Sequence, residues 1–332
     1  MIIDIYTHIL PDAFFREMSR VSPKLENIGA RLRGVKKLFD LDLRFAEMDT
    51  LGDYRQIISL PNPPLEEIAG GETAQKLARV ANDAMADLCA RHPRRFPAFV
   101  AAVSLDDVEA ALKEAERAIG ELGARGIQIF TNISGSPLDE PRFAPVFAAM
   151  AKYDLPVWLH PARSAAMPDY AAEQKSRFEM WWCFGWPYET SVAMARLVFS
   201  GVFDRHPGLK IVTHHLGGGM IPFFDGRIGA GMEVLGSRTS DEDYSRVLSS
   251  LKRPHLEYFR EFYADTALFG AGNGLTCGLD FFGADRVVFA TDAPLGPIAK
   301  TIAAVDALAL DPGTRAKIMH GNATGLMKIR LG

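Results

Sequence analysis

Apolar residues in this chain come in short continuous runs, separated by longer stretches in which apolar positions recur every three or four residues. The runs predict eight strands: Ile2–Ile5, Arg55–Leu60, Pro97–Val103, Gly126–Phe130, Pro156–His160, Lys210–His214, Phe262–Thr266 and Arg286–Thr291. Most are apolar at every position rather than at alternate ones, as expected of parallel strands covered on both faces. The intervening stretches predict amphipathic helices, among them Thr73–Arg91, Asp107–Leu122, Pro141–Tyr153, Glu189–Arg205 and Pro297–Ala309. Helix punctuation agrees: Asp106-Asp107 opens one helix and Gly123 follows it, while Asp154-Leu155-Pro156 and His206-Pro207-Gly208 end others ahead of the next strand. Strand and helix in alternation predict an α/β fold with a parallel sheet, here a (β/α)8 TIM barrel.

Two segments break the rhythm. Pro11 to about Asp40 is too long for a first strand-to-helix connection and mixed in polarity, which predicts a small helical insertion after strand 1, either a lid over the barrel mouth or a surface decoration. Arg163 to Tyr188 carries Met180-Trp181-Trp182-Cys183-Phe184-Gly185-Trp186-Pro187-Tyr188, with three of the four tryptophans. So many aromatics need burial, against a second subunit, around a substrate, or in ordinary packing under a long loop.

Bulk properties narrow the class. The 332 residues, 48% hydrophobic, suit one barrel domain spanning 1–332 with the insertion at about 11–40. A net charge of −4 without a long basic run argues against a nucleic-acid partner. No apolar run of membrane-spanning length occurs. Cys89, Cys183 and Cys277 are odd in number and far apart, which predicts buried or inert thiols in a reducing compartment. Met1-Ile2-Ile3-Asp4 enters a strand at once, without the basic stretch and cleavage site of an export signal, so the expected location is cytoplasmic.

The chemistry collects at strand ends. His8, His160, His214, His215 and Asp292 fall at or just past the carboxyl ends of strands 1, 5, 6 and 8, the face where such barrels keep their active sites. Barrel closure makes strand 8 the neighbour of strand 1, which brings Asp292 to His8. Imidazole nitrogen with carboxylate oxygen suits one zinc ion, or manganese, with a position left for water. His92, His206, His255 and His320 lie in or beside helix ends and receive no catalytic role.

On these residues the chain resembles the amidohydrolase superfamily, in the branch holding aminocarboxymuconate-semialdehyde decarboxylase and the γ-resorcylate and 5-carboxyvanillate decarboxylases. The resemblance runs from Met1-Ile2-Ile3-Asp4 to His320-Gly321-Asn322-Ala323. Its most specific parts are Pro156-Val157-Trp158-Leu159-His160-Pro161, His215-Leu216-Gly217-Gly218-Gly219 with Pro222, and Ala290-Thr291-Asp292-Ala293-Pro294. It implies His8, His160 and Asp292 as metal ligands, with Tyr6 standing where the first ligand histidine would be. It also implies His215 as the histidine that handles a proton or polarises water, although the extra Leu216 leaves His214 a competitor. Arg44, and Arg227 supplied by a neighbouring subunit, match a pair that grips the substrate carboxylate. Arg163 is an alternative clamp, Trp182 a candidate wall, and a homodimer is implied.

Tyr6 is the departure. A phenol is a poor ligand while protonated, though a nearby dication could make it a phenolate. It could ligate the metal, act on substrate as hydrogen-bond donor or acid, or mark a site that binds no metal. The expected function is a metal-dependent, non-oxidative decarboxylase of an aromatic or unsaturated carboxylic acid, with His215, Asp292 and Tyr6 catalytic. A hydrolase or hydratase using the same histidine, and a metal-free barrel that binds a ligand, are the alternatives.

Overall fold

The computed structural model describes residues 1–22, 28–238 and 241–329. Eight parallel strands line up in chain order: β1 (Ile2–His8), β2 (Tyr54–Ser59), β3 in two pieces (Ala98–Phe99 and Ala101–Ala102), β4 (Ile127–Phe130), β5 (Val157–His160), β6 (Ile211–Thr213), β7 (Tyr263–Asp265) and β8 (Val287–Val288). One piece of β3 pairs with β2 and the other with β4; at the Val100 joint the N–H donates to the Ile58 carbonyl at 3.0 Å. The ring closes between β8 and β1. Ile5 N–H donates to Phe289 O (3.1 Å), Asp292 N–H to Tyr6 O (3.1 Å) and His8 N–H to Ala293 O (2.7 Å). The predicted TIM barrel is present, with regular strand 8 shorter than expected: past Val288 the Phe289 N–H donates to the Ile318 carbonyl (3.0 Å) and the Ala290 N–H to the Thr266 hydroxyl (3.0 Å) rather than to a neighbouring strand.

Two apolar layers result. Ile3, Ile5, Ile57, Val100, Trp158, Val212 and Val288 meet inside the barrel, while Ile58, Phe99, Ile127, Ile129, Val157, Ile211 and Val287 join the layer beneath the helices. Both faces of each strand are therefore buried, which is why the runs are apolar at every position. The helices follow their predicted stretches. Asp107 caps helix Val108–Gly120 by accepting from Ala110 N–H, and the predicted helix 189–205 starts earlier, as Gly185–Phe199, then breaks at Gly201 before Val202–Arg205. The segment after β1 forms helices Asp12–Val21 and Ile28–Gly34; residues 23–27 of the expected insertion, and 239–240 and 330–332 of the expected domain, lie outside the described residues. Among the described residues no helix is long and apolar enough to cross a membrane. Cys89 is partly buried, and burial pushes its thiol up to about 12; Cys183, expected to be buried or inert, is exposed.

Candidate active site

The site starts with a defect in β1. Between Asp4 and Thr7 the register against β2 slips by one residue, a bulge that spans Ile5 and Tyr6. Bulges re-aim side chains. Tyr6 and His8 consequently both enter the barrel and are fully buried, their rings edge to face with centroids 4.5 Å apart. The Tyr6 ring stands among the histidines: it stacks on His214 at 3.1 Å and lies 5.7 Å from His160 and 6.5 Å from His215. Its hydroxyl has no hydrogen-bond partner. Burial, then the charges of Asp292 and Asp265, hold the phenol well above its ordinary value, so it keeps its proton.

At the end of β6 the backbone turns left-handed. His215 and Leu216 take φ of 55° and 56°, and Gly217, Gly218 and Gly219 continue the turn. At Gly218 no larger side chain fits: a Cβ there would stand 2.5 Å from the Pro187 carbonyl oxygen. The turn separates the two histidines. His214 points into the barrel, buried, with Nδ1 2.8 Å from Asp265 Oδ2, whereas His215 lines a pocket and packs near-parallel to Trp186 at 6.3 Å. Asp265 was not predicted. It ends β7, one residue beyond the Ala264–Thr213 pair, and burial pushes its carboxyl up to about 6.

Three imidazoles share one tautomer. His8 Nδ1 donates to the Leu60 carbonyl (3.1 Å), His160 Nδ1 to the Pro161 carbonyl (2.7 Å) and His214 Nδ1 to Asp265, because those oxygens can only accept. Each ring thus keeps a bare Nε2, and those of His8 and His214 have no partner. Burial, then the neighbouring histidines, lowers His160 and His214 well below the ordinary range and keeps them neutral. His8 Nε2 approaches Asp292 Oδ1 to 3.0 Å without making a hydrogen bond. Two adjacent ligands of one ion, each about 2.1 Å from it, stand about that far apart. In their donor chemistry these groups fit a divalent cation, and the carbonyls behind the histidines orient them as ligand histidines are usually oriented. Among the described residues, no three His, Cys, Asp or Glu side chains close on a single ion position as they stand. His160 remains a ring-width away, 5.6 Å by centroid from both His8 and His214.

Beside this cluster lies a pocket of about 230 Å³, lined by Asp292 and His215 and by Trp182, Trp186, Phe269 and Arg31 among others. Trp182, the candidate wall, is among its lining residues. Of the expected arginine clamps, Arg44 and Arg163 do not line this pocket, and Arg227, expected from a neighbouring subunit, lies outside it in its own chain. Arg44 is 2% exposed and braces the backbone, donating from Nη1 to the His8 carbonyl (2.5 Å) and from Nε to Gln56 (2.7 Å). Arg163 pairs with Glu189 at 3.2 Å and holds the far side of Trp186, whose indole N–H donates to the Arg163 carbonyl. Arg227 faces a separate groove of about 750 Å³ with Tyr188, Val192, Met220 and Phe224. The reason is common to Arg44 and Arg163: helix or loop position, invisible in a motif, decides which way a long side chain leaves the backbone. Arg31, from the insertion, is the arginine on the pocket wall.

Comparison with known proteins agrees with this architecture. A family profile described as Amidohydrolase matches residues 3–328. The chain is 34% identical over 304 residues to γ-resorcylate decarboxylase of Rhodococcus jostii, covering 88% of this chain and 89% of that one. Among solved structures, 5-carboxyvanillate decarboxylase from Sphingomonas paucimobilis superposes with a TM-score of 0.84 at 27% identity, covering 99% of each chain. Dihydroxybenzoic acid decarboxylase from a Polaromonas species, bound to manganese and the inhibitor 2-nitroresorcinol, gives 0.79 at 28% identity, covering 100% of this chain and 98% of that one. With its barrel, its strand-end histidines and aspartate, and a match along nearly its whole length, this chain belongs to the amidohydrolase family.

Proposed function

We propose that this protein is a metal-dependent, non-oxidative decarboxylase of an aromatic carboxylic acid, built as one barrel domain. The observation that carries the reading is the approach of His8 Nε2 to Asp292 Oδ1, 3.0 Å apart and not hydrogen-bonded, beside an aromatic-walled pocket. His8, His160 and Asp292 would hold the ion, zinc or the manganese that the Polaromonas enzyme binds. When bound, the ion supplies positive charge next to a substrate oxygen, which orients the substrate and offsets negative charge as the carbon–carbon bond breaks.

The protein's own groups do the rest. Trp182, Trp186 and Phe269 form walls that suit a flat ring and keep water from it. As carbon dioxide leaves, the bonding pair stays on the ring carbon, which must take a proton. Asp292 and His215 both face the pocket and are the groups placed to deliver it. Tyr6, buried beside the cluster with its hydroxyl unpartnered, would donate that hydrogen to a substrate oxygen. Metal analysis of the purified protein, followed by assay of carbon dioxide released from 2,6-dihydroxybenzoate and related acids, tests this. Bound metal with carbon dioxide release is expected; amide or lactone cleavage without it would overturn the reading.

The assembly we propose is a homodimer in the cytoplasm. Tyr188, which lines the Arg227 groove with Phe224, is exposed, as are Phe184 and Phe223, aromatics that a second copy would cover. From that groove Arg227 could serve only a neighbour's pocket. A fully active monomer by sedimentation at assay concentration would refute the dimer.

A further inference from the structure

His160 is turned toward the site by a single peptide that two other strand ends hold. Its Nδ1 donates to the Pro161 carbonyl at 2.7 Å, so the Pro161–Ala162 peptide sets which ring nitrogen carries the hydrogen. That peptide is bound at both ends. Its oxygen also accepts from Nδ2 of Asn62, in the loop after β2, at 3.1 Å. Its Ala162 N–H donates to Oγ1 of Thr131, just past β4, at 2.9 Å, and the Thr131 N–H in turn donates to the His160 carbonyl at 2.9 Å. Asn62, Thr131 and His160 are all buried, so water competes little for these bonds.

A backbone carbonyl is a weaker orienting group than a carboxylate such as Asp265 behind His214, because it carries no full charge. Its peptide can also rotate unless something stops it. Here Asn62 and Thr131 stop the rotation, and the donating N–H polarises the carbonyl of the same peptide, which strengthens its hold on Nδ1–H. A ring kept in that form presents a bare Nε2, the nitrogen a divalent ion needs. We infer that Asn62 and Thr131 are positioning residues: through the Pro161–Ala162 peptide they keep His160 in the tautomer and direction that bind the ion. The inference rests on His160 as one of the groups that hold the ion in the function proposed above.

The test begins on the full chain free of metal, with isotope-labelled histidine read by NMR, which distinguishes ring nitrogens that carry hydrogen from those that do not. Native His160, whose signals the His160→Gln protein identifies by their loss, is expected in the Nδ1–H form with a slowly exchanging ring proton. Asn62→Ala and Thr131→Val should each mix the two tautomers and speed that exchange about tenfold, the scale of one lost hydrogen bond. Thr131→Ser, which keeps the hydroxyl, should remain native. Asn62→Ala is expected to fold, because the Pro161 carbonyl keeps its bond from His160. Titration of the same proteins with zinc and with manganese should show affinity about 10- to 100-fold weaker in Asn62→Ala and Thr131→Val. Asn132→Ala is the comparison: its amide holds the Ala162 carbonyl at 2.8 Å, one peptide further on, and its loss should change neither tautomer nor affinity. A native tautomer and exchange rate in both Asn62→Ala and Thr131→Val would overturn the inference. So would mixed tautomers with undiminished metal affinity, or equal losses in Asn132→Ala, which would reduce the effect to a loosened loop. The NMR measurement needs no metal, so tautomer changes in a protein that takes up no ion refute the proposed function, whereas native tautomers in a protein that binds metal refute the positioning alone.

Discussion

Tyr6→Phe removes one oxygen from the centre of the histidine cluster and leaves the ring, with its stack on His214 and its edge contact to His8, in place. In the folded protein that hydroxyl is buried and has no partner. An unsatisfied buried hydroxyl costs about 1–3 kcal/mol, so the phenylalanine protein is expected to be at least as stable as the native one, by about 1 kcal/mol. In a domain of this size that is a rise of about 2 °C or less in Tm. Activity should move the other way. A positioned proton donor contributes about 10²-fold or more, or about 2.7 kcal/mol in the transition state, and turnover should fall by at least that factor with metal content little changed. Steady-state carbon dioxide release, metal analysis and thermal unfolding, measured on the same preparations, separate the possibilities. Normal turnover, or a loss explained wholly by missing metal, would show that Tyr6 is not a donor; a clear drop in Tm would show that its hydroxyl has a partner after all. Tyr6→His, which supplies another imidazole, should tighten metal binding without raising turnover.

Other expectations are equally direct. Asp292→Asn should abolish carbon dioxide release and lower metal content together, because the same carboxylate faces His8 and the pocket; retained activity in steady-state assays would dismiss it from both roles. Asp265→Asn weakens the partner that sets the His214 tautomer, and should cost about 10- to 100-fold in metal affinity by titration if His214 contributes to the ion's surroundings. Asp4, buried among Tyr54, Thr291 and the backbone N–H of Tyr6, is pushed by burial from 3.8 to about 7. Its folded value lies above its unfolded one, so the folded state holds an extra proton between these pH values and stability falls as pH rises through that window. In denaturant titrations from pH 4 to 7.5, Asp4→Asn should flatten that decline, and an unchanged slope would count against the shift.

Much of this was legible before any coordinates. Runs of apolar residues marked all eight strands because a parallel strand between barrel interior and helix layer must be apolar on both faces. Once the strands are placed, the fold itself delivers His8, His160, His214, His215 and Asp292 to one end of the barrel. Helix boundaries followed from local chemistry, as at Asp107, whose side chain satisfies a free N–H at the helix start.

What only the tertiary structure decided are relations between segments far apart in sequence. Which of two adjacent histidines faces the pocket depends on the left-handed turn at His215 and Leu216, permitted by contacts with Pro187 and with Gly278, where any Cβ would strike Leu216. That Tyr6 turns into the barrel on the same side as Ile3 and Ile5, taking His8 with it, depends on the bulge between Asp4 and Thr7 in the pairing with β2. The arginines show the limit most plainly. Arg44 matched a motif and went to brace the His8 carbonyl, while Arg31, in a segment with no motif, reached the pocket. Hydrophobic periodicity is a local property, because each residue's burial is dictated by the element it belongs to; the direction of a long charged side chain depends on what the rest of the chain packs around it.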